Sequence, residues 1–381
     1  AAGLWESGPG TGSFFAWLNK DGTCGQTEWN EQEEMKMFKK TIGLALASVL
    51  AVGLMTACGS TGNSSTQASG QDDAGTGDAS LKQVTMILDW TPNTNHTGIY
   101  VAKELGYYEE AGLDVSIELP SEELATQLVG AGKGDFGIGN TEDVINAISL
   151  DDPMPVESVA AIIQHNTSGF VSLKEDGIES PADWTGKTYG GYGGSTEEKI
   201  VRTIAENNGV DPDSIKFVTL GDSDTLTSLK KDIDFIWVFE AAELINLDNQ
   251  GVEYNYLPVR DYGDAFDYYT PCLIANTKVV EKDPEMAHAF VEATARGYEY
   301  AIEHPQEAAE ILLNAEPELD EYVVTEGQNY LSERYALDAP QWGYQDAAVW
   351  QKYEDFLFQN GLIENEADMS RVFTNEFLPD A

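Results

Sequence analysis

The pattern of apolar and polar positions changes character twice along the 381-residue chain. Residues 1–34 hold no sustained period. A new pattern starts at Met37-Phe38-Lys39-Lys40, which is basic. It continues through the apolar run 41–57, made of small and aliphatic residues, and ends at Cys58. Residues 59–80 are rich in Gly, Ser, Thr, Asn, Gln and Asp, a composition that cannot bury a core. From Leu81 onward, apolar positions recur alternately with a period of two and a period near 3.6. That alternation predicts strands interleaved with helices.

Strands are predicted at 81–89, 114–118, 135–139, 156–164, 188–192, 215–219 and 233–239. Helices are predicted at 96–105, 121–131, 140–148, 195–208 and 224–231, then at 284–303, 305–314, 321–335 and 346–360. Gly106 and Gly132 stop two of them, and Thr91-Pro92-Asn93-Thr94-Asn95 is turn chemistry. Ser195 with Glu198 predicts a capping box. The βαβα order indicates an α/β protein with mostly parallel sheets. An internal echo, 124–139 against 226–238, sets Asp135-Phe136 beside Asp234-Phe235 and points to two lobes. The C-terminal helices are expected to pack around the first lobe.

Charge narrows the function. The formal net charge is -45 and the pI near 4.1, so any phosphate backbone would be repelled and nucleic acid is not an expected partner. Cys24, Cys58 and Cys272 have no zinc or disulfide spacing, and the four histidines are scattered, so no metal is expected. Residues 37–57 read as a secretory signal. Leu54-Met55-Thr56-Ala57-Cys58 resembles a bacterial lipobox, with Met55 where Leu is commoner. Cys58 is therefore the expected lipidation site, and 58–80 is the expected tether to the outer face of a bacterial cell membrane. Residues 1–36 read as an upstream translation artefact, because Gln32-Glu33-Glu34 can be encoded by a purine-rich ribosome-binding sequence ahead of Met37.

Asp89-Trp90-Thr91-Pro92-Asn93-Thr94-Asn95-His96-Thr97-Gly98 carries a family resemblance. So do Tyr100-Val101-Ala102-Lys103 and Gly106-Tyr107-Tyr108-Glu109-Glu110-Ala111-Gly112-Leu113-Asp114-Val115. These blocks resemble the thiamine-pyrimidine-precursor family, which holds bacterial formylaminopyrimidine-binding proteins and the fungal hydroxymethylpyrimidine synthase. The broader set includes riboflavin, nitrate and alkanesulfonate binding proteins. The resemblance implies a type II periplasmic-binding-protein fold. Two α/β lobes, 81–172 plus 274–381 and 173–273, would be joined by crossovers near Ser172 and Leu273 and close on a ligand. It also implies a monomeric solute-binding protein serving an ABC permease and its ATPase subunits. Two alternatives stay open: a riboflavin or other small-solute binder of the same superfamily, and a ligand-sensing lipoprotein for a signalling partner.

Open α/β sheets bind ligands at the carboxyl ends of their strands. That rule selects Trp90, Asn93, Asn95 and His96 after the first strand. It selects Asn140 and Thr141 after the third, and Gln164 with His165 at a later strand end. It also selects Tyr192, Gly193, Gly194 and Ser195 in a glycine-rich loop, and Trp237 and Glu240 after 233–239. Tyr268 and Tyr269 lie near the second crossover. Trp90, Tyr192 and Trp237 offer flat faces, Asn93 can pair with a ring edge, and Glu240 can accept from an exocyclic amine. Each has a plainer competitor: Trp90 as the seal of its loop, His96 and Asn140 as helix caps, and Cys272 as a small buried residue. The glycine-rich loop opens a helix and suits an anion, but Glu197 and Glu198 beside it disfavour one. With no Arg or Lys among the candidates, a neutral or cationic heteroaromatic is the expected ligand.

The enzyme of the same family carries a lysine that holds pyridoxal phosphate, a histidine soon after it, and a cysteine-rich motif. Here those positions read Gly139, Asp143 and Tyr269-Thr270-Pro271-Cys272-Leu273. Without an amine there is no Schiff base. Neither catalysis nor a cofactor is expected.

Overall fold

The computed structural model describes residues 81–380 except 121–122 and 222. It also describes the short antiparallel pair Trp17–Leu18 and Cys24–Gly25, part of a separate N-terminal unit. The expected signal segment, Cys58 and the tether lie outside the described residues. No helix among the described residues is long and apolar enough to cross a membrane.

From residue 81 the strands are β1 (Lys82–Ile87), β2 (Leu113–Glu118), β3 (Phe136–Gly139), β4 (Val156–Ala161) and β5 (Ser168–Leu173). They continue as β6 (Thr188–Gly191), β7 (Lys216–Thr219), β8 (Phe235–Phe239), β9 (Tyr254–Pro258) and β10 (Cys272–Asn276). Two five-stranded sheets result, ordered β2-β1-β3-β10-β4 and β9-β5-β8-β6-β7. Both follow one plan. Three parallel strands come from βαβ units, and the strand arriving from the other lobe inserts antiparallel beside the third. The internal echo in the sequence is this repeated plan. The molecule is the two-lobe α/β type expected of periplasmic solute-binding proteins.

The lobe boundaries differ from the expected ones. Ser172 lies inside β5 and Leu273 inside β10. The chain changes sheets earlier, at 162–167 and at 259–271. Strands β5, β9 and β10 escaped the sequence pattern. β5 and β10 are buried along their whole length, so they show no alternation of polar and apolar residues.

The first sheet is covered by α1 (Thr97–Glu104), α2 (Tyr107–Glu110), α3 (Ala125–Gly130) and α4 (Thr141–Ser149). The second lobe holds α5 (Ser195–Asn207), α6 (Thr225–Leu229) and α7 (Ile245–Asn249), the last preceded by a π turn over Glu240–Leu244. After β10 come α8 (Thr277–Lys282), α9 (Pro284–Glu303), α10 (Pro305–Ala315), α11 (Glu321–Ser332) and α12 (Ala347–Gln359). Asp283, Asp320 and Asp346 cap α9, α11 and α12 through their side chains, each satisfying an otherwise orphaned N–H. Helices α9 and α10 return to the first lobe as expected; α11 packs on α10 and also against the second lobe's π turn at Ala241. Helix α12 meets the first lobe at α4 and also reaches the second crossing. Its Tyr353 stacks on Tyr268 with centroids 4.2 Å apart, and Phe356 meets Phe266 edge-on at 5.1 Å. It therefore braces the second crossing.

The first lobe's core is drawn tight where α9 crosses the sheet and α1. The ring of Phe290 stacks on Phe136 at 3.9 Å and that of Tyr298 on Trp342 at 4.4 Å. The crossing of α1 and α9 works because both helices present glycine there. A Cβ on Gly297 would lie 2.0 Å from the carbonyl oxygen of Gly98, a backbone atom that cannot swing away. Gly297→Ala is accordingly expected to destabilise the protein by about 1–3 kcal/mol, read as a lower urea midpoint with an unchanged slope.

Candidate functional site

The two crossings run side by side and are tied together. Asn166 Nδ2 donates to the carbonyl of Phe266 at 2.9 Å, and the Asn166 N–H to Asp267 Oδ1 at 3.1 Å. Arg260 Nη1 donates to the Asn166 carbonyl at 2.6 Å. His165 Nδ1 meets Asp267 Oδ2 at 2.8 Å. That bond raises the His165 pKa. Burial would raise the Asp267 carboxyl, but hydrogen bonds from His165 and Asn166 outweigh it and hold it below its usual range.

Above these crossings, between the lobes, lies a cavity of about 330 Å³, at the small end of the ~300–1,000 Å³ typical of ligand sites. Tyr192, Trp237, Phe239, Tyr268 and Tyr353 supply its aromatic walls. Glu142, Asp143 and Glu197 supply carboxylates; Asn140, Ser168, Thr196 and Thr270 supply neutral polar groups. No Lys or Arg lines it. Trp237 is held by Phe170 behind it, with ring centroids 5.2 Å apart. Thr270 Oγ1 is buried at the wall and makes no hydrogen bond to the protein, which leaves a polar atom for a ligand to satisfy.

The lobes touch across the cavity. Thr196 Oγ1, on α5, donates to Glu142 Oε1, on α4, at 2.6 Å. Burial raises the Glu142 pKa, opposed by the Thr196 bond and reinforced by Asp143. Burial likewise raises Asp143, opposed by Asn140 and reinforced by Asp89. Glu197 turns back onto its own helix start. Its carboxylate accepts from the N–H groups of Tyr192, Gly193 and Gly194 at 3.0, 2.9 and 3.2 Å, and from the Tyr189 hydroxyl. The N-cap of α5 is Gly194 and its capping acid is Glu197 at N3; the expected Ser195–Glu198 box is displaced by one residue.

Of the residues selected from the sequence, Asn140, Tyr192, Gly194, Trp237 and Tyr268 line the cavity. Gly193 sits in the same loop and Ser195 opens α5, both outside the lining. The others have structural duties. Asn93 caps a short 3-10 turn through its side-chain oxygen, and the Asn95 carbonyl accepts from Tyr298. His96 Nδ1 accepts from the Asn93 N–H, so its Nε2 donates to Asp89 at 2.7 Å. Thr141 donates to the Tyr269 carbonyl, Gln164 to the Tyr344 carbonyl, and the Tyr269 hydroxyl accepts from the Asp346 N–H. Trp90 is 54% exposed and outside the lining. Glu240, the expected acceptor for an amine, accepts instead from the Tyr256 hydroxyl at 2.8 Å with Arg260 at 3.7 Å. The π turn that begins at Glu240 sends it away from the cavity. Two of the carboxylates that reach the cavity, Glu142 and Asp143, were missed. Glu142 and Asp143 directly follow the selected Asn140-Thr141, and one helical turn of projection from that strand end would have found them. Tyr353 carried no signal, because it arrives from α12, more than 80 residues after the second crossing.

With this geometry in hand, the chain matches the family model described as NMT1/THI5 like over residues 93–308, more than half its length. The chain belongs to the NMT1/THI5 like family. A formylaminopyrimidine-binding protein of Halalkalibacterium halodurans is 31% identical over 315 residues, covering 81% of this chain and 94% of that one. A 4-amino-5-hydroxymethyl-2-methylpyrimidine phosphate synthase of Legionella pneumophila is 29% identical over 309 residues, covering 79% and 94%. Among solved structures, the periplasmic aliphatic sulphonate binding protein of Escherichia coli superposes with a TM-score of 0.61 at 15% identity, covering 77% and 92%; it supports the fold alone.

Because the relatives include synthases, the fit of pyridoxal phosphate matters. The position expected to bear its lysine is Gly139, where even a Cβ would fall 2.8 Å from Thr126 Oγ1 and 3.2 Å from Ile274. The place where the resemblance implies a histidine holds Asp143. These residues do not fit the cofactor. Among the described residues no group of three His, Cys, Asp or Glu is placed to hold a metal.

The hinge pair gives a pH prediction. A histidine whose folded pKa is raised contributes stability that is complete below its unfolded value near 6.5 and is lost as pH rises through the folded value. The melting-temperature gap between the native protein and His165→Gln is expected to be widest below about pH 6 and to narrow above neutrality. A gap that is constant with pH would reject the ion pair.

Proposed function

We propose that this protein is the lipid-anchored solute-binding component of an ABC importer and that it captures a thiamine pyrimidine precursor of the formylaminopyrimidine or hydroxymethylpyrimidine type. One observation carries the reading: the interlobe cavity joins aromatic walls to three carboxylates and has no basic side chain in its lining. A small aminopyrimidine suits that lining. Its flat ring stacks on Tyr192 or Trp237, its exocyclic amine donates to Glu142 or Asp143, and a ring nitrogen accepts from Thr270 or Asn140. The similarity to a formylaminopyrimidine-binding protein supports the same ligand class. Binding, rather than turnover, follows from the lack of an amine at Gly139.

Capture works by differential contact. In an open form the ligand touches one lobe; in the closed form it touches α4 from one lobe and the β6–α5 loop from the other. The ligand therefore favours closure by the free energy of the second set of contacts. The Thr196–Glu142 bond lies along the same closure path. Lipid on Cys58 would keep the closed form near its permease.

Thermal melting of the full chain with formylaminopyrimidine, hydroxymethylpyrimidine, thiamine, riboflavin, nitrate and taurine tests the ligand. A pyrimidine at a hundred times its Kd is expected to add about 2.7 kcal/mol of stability. A shift with riboflavin or an anion alone, or none at all, would overturn the reading. Glu142→Gln is expected to weaken pyrimidine binding about tenfold or more, through loss of a charge-assisted hydrogen bond. The ratio of native to Glu142→Gln affinity should shrink as pH falls. Because burial holds Glu142 above the usual carboxylate range, that loss begins at a higher pH than for an exposed glutamate.

A further inference from the structure

The glycine-rich loop before α5 presents three consecutive N–H groups at the start of a 13-residue helix, an arrangement that attracts anions. In this protein the anion is already there. Glu197 places both carboxylate oxygens on the loop: Oε1 receives the Tyr192 N–H, and Oε2 the Gly193 and Gly194 N–H groups. The Tyr189 hydroxyl, from the buried end of β6, donates to Oε1 as well. The surroundings are shaped for this tuck. A Cβ at Gly191 would stand 2.1 Å from Glu197 Oε1, so only glycine leaves the carboxylate its place. Gly193 has φ 92°, which allows the loop to turn its amides inward.

We propose that Glu197 is a specificity-determining residue: its carboxylate occupies the anion seat of the cleft, so the site refuses anionic solutes and accepts neutral or cationic ones. Two effects act together. The N–H groups that would bind a sulfonate, sulfate or nitrate are already satisfied. An anion entering the cavity would also face Glu142, Asp143 and Glu197 with no basic side chain in the lining. Because the solved structures of similar fold include an aliphatic sulphonate binding protein, the same two-lobe frame can serve opposite charges. One residue at the third position of α5 would decide between them here. The proposal rests on the reading of this cavity as the ligand site.

The test compares the native chain, Glu197→Ala and Glu197→Gln by calorimetric titration with sulfate, methanesulfonate and hydroxymethylpyrimidine. Alanine empties the seat. Glutamine removes the charge but still offers an oxygen to the loop amides. Expected is saturable sulfate or methanesulfonate binding by the alanine variant, at least about tenfold tighter than by either the native chain or the glutamine variant. Equal gain in both variants, or gain in neither when both melt cooperatively, overturns it. The native chain supplies an independent check should the alanine variant fail to fold. The amide resonances of Tyr192, Gly193 and Gly194 must not move saturably with sulfate, and movement overturns the proposal. A native chain that binds no pyrimidine while the anion arms come out as expected would overturn the proposed ligand and leave the role of Glu197 standing.

Discussion

The side-by-side pairing of the two chain crossings is the constraint on which the cleft depends. Two sheets of the same plan would be independent domains if the chain passed between them once. Passing twice, with Asn166 bonded to Phe266 and Asp267 and with Arg260 closing onto the Asn166 carbonyl, turns the connection into a hinge of limited freedom. These bonds, with the His165–Asp267 pair, run from one crossing to the other and hold the two side by side. Such a hinge lets the strand ends of both sheets face each other in one register, and the cavity forms there.

Helix α12 adds what a two-stranded hinge lacks. Its aromatic face lies beneath the second crossing, with Tyr353 on Tyr268 and Phe356 against Phe266, and Tyr353 continues into the cavity wall. One apolar cluster runs from Ile87 and Val144 through Phe170 and Trp237 to Tyr269, Trp350 and Tyr353. The core therefore does not stop at the lobe boundary. Burial of each such large side chain contributes roughly 1.5–3 kcal/mol, so the floor of the cleft is firmly held.

Most of the fold was legible in the sequence because half-buried strands and amphipathic helices write their period into it. The strands that were not legible are those enclosed on both faces: β5 reads Ser-Gly-Phe-Val-Ser-Leu and β10 reads Cys-Leu-Ile-Ala-Asn, with no solvent face to impose polarity. The site was legible only in part, for a related reason. The strand-end rule reached Asn140, Tyr192 and Trp237, which line the cavity, since those positions follow from topology; Tyr268 was reached from its place near the second crossover. It could not say which way a side chain turns after the strand ends. Glu240 lies next to the right strand end, but a π turn directs it toward Tyr256 and Arg260. Asn93 and His96 are consumed by capping each other. A residue's chemistry was visible in every case; its local hydrogen-bond partner, which decides whether that chemistry is available, was not.

The carboxylates of the cavity are unequally satisfied, and under the proposed capture mechanism this inequality would link recognition to closure. Glu197 receives four donors and Glu142 receives Thr196 from the opposite lobe. Asp143 takes its donors from Asn140 alone, the backbone N–H and, at 3.4 Å, the side-chain amide, and burial raises its pKa. A buried carboxylate short of donors is costly to keep ionised. Under the proposed function, further donors to Asp143 would come from the ligand, so a ligand with N–H groups gains there. Closing the lobes around such a ligand excludes water, strengthens each of its hydrogen bonds and raises the penalty for any solute that cannot supply them. A ligand lacking donors would have to be enclosed beside an unrelieved acid, so the same step that tightens binding of the right solute works against the wrong one.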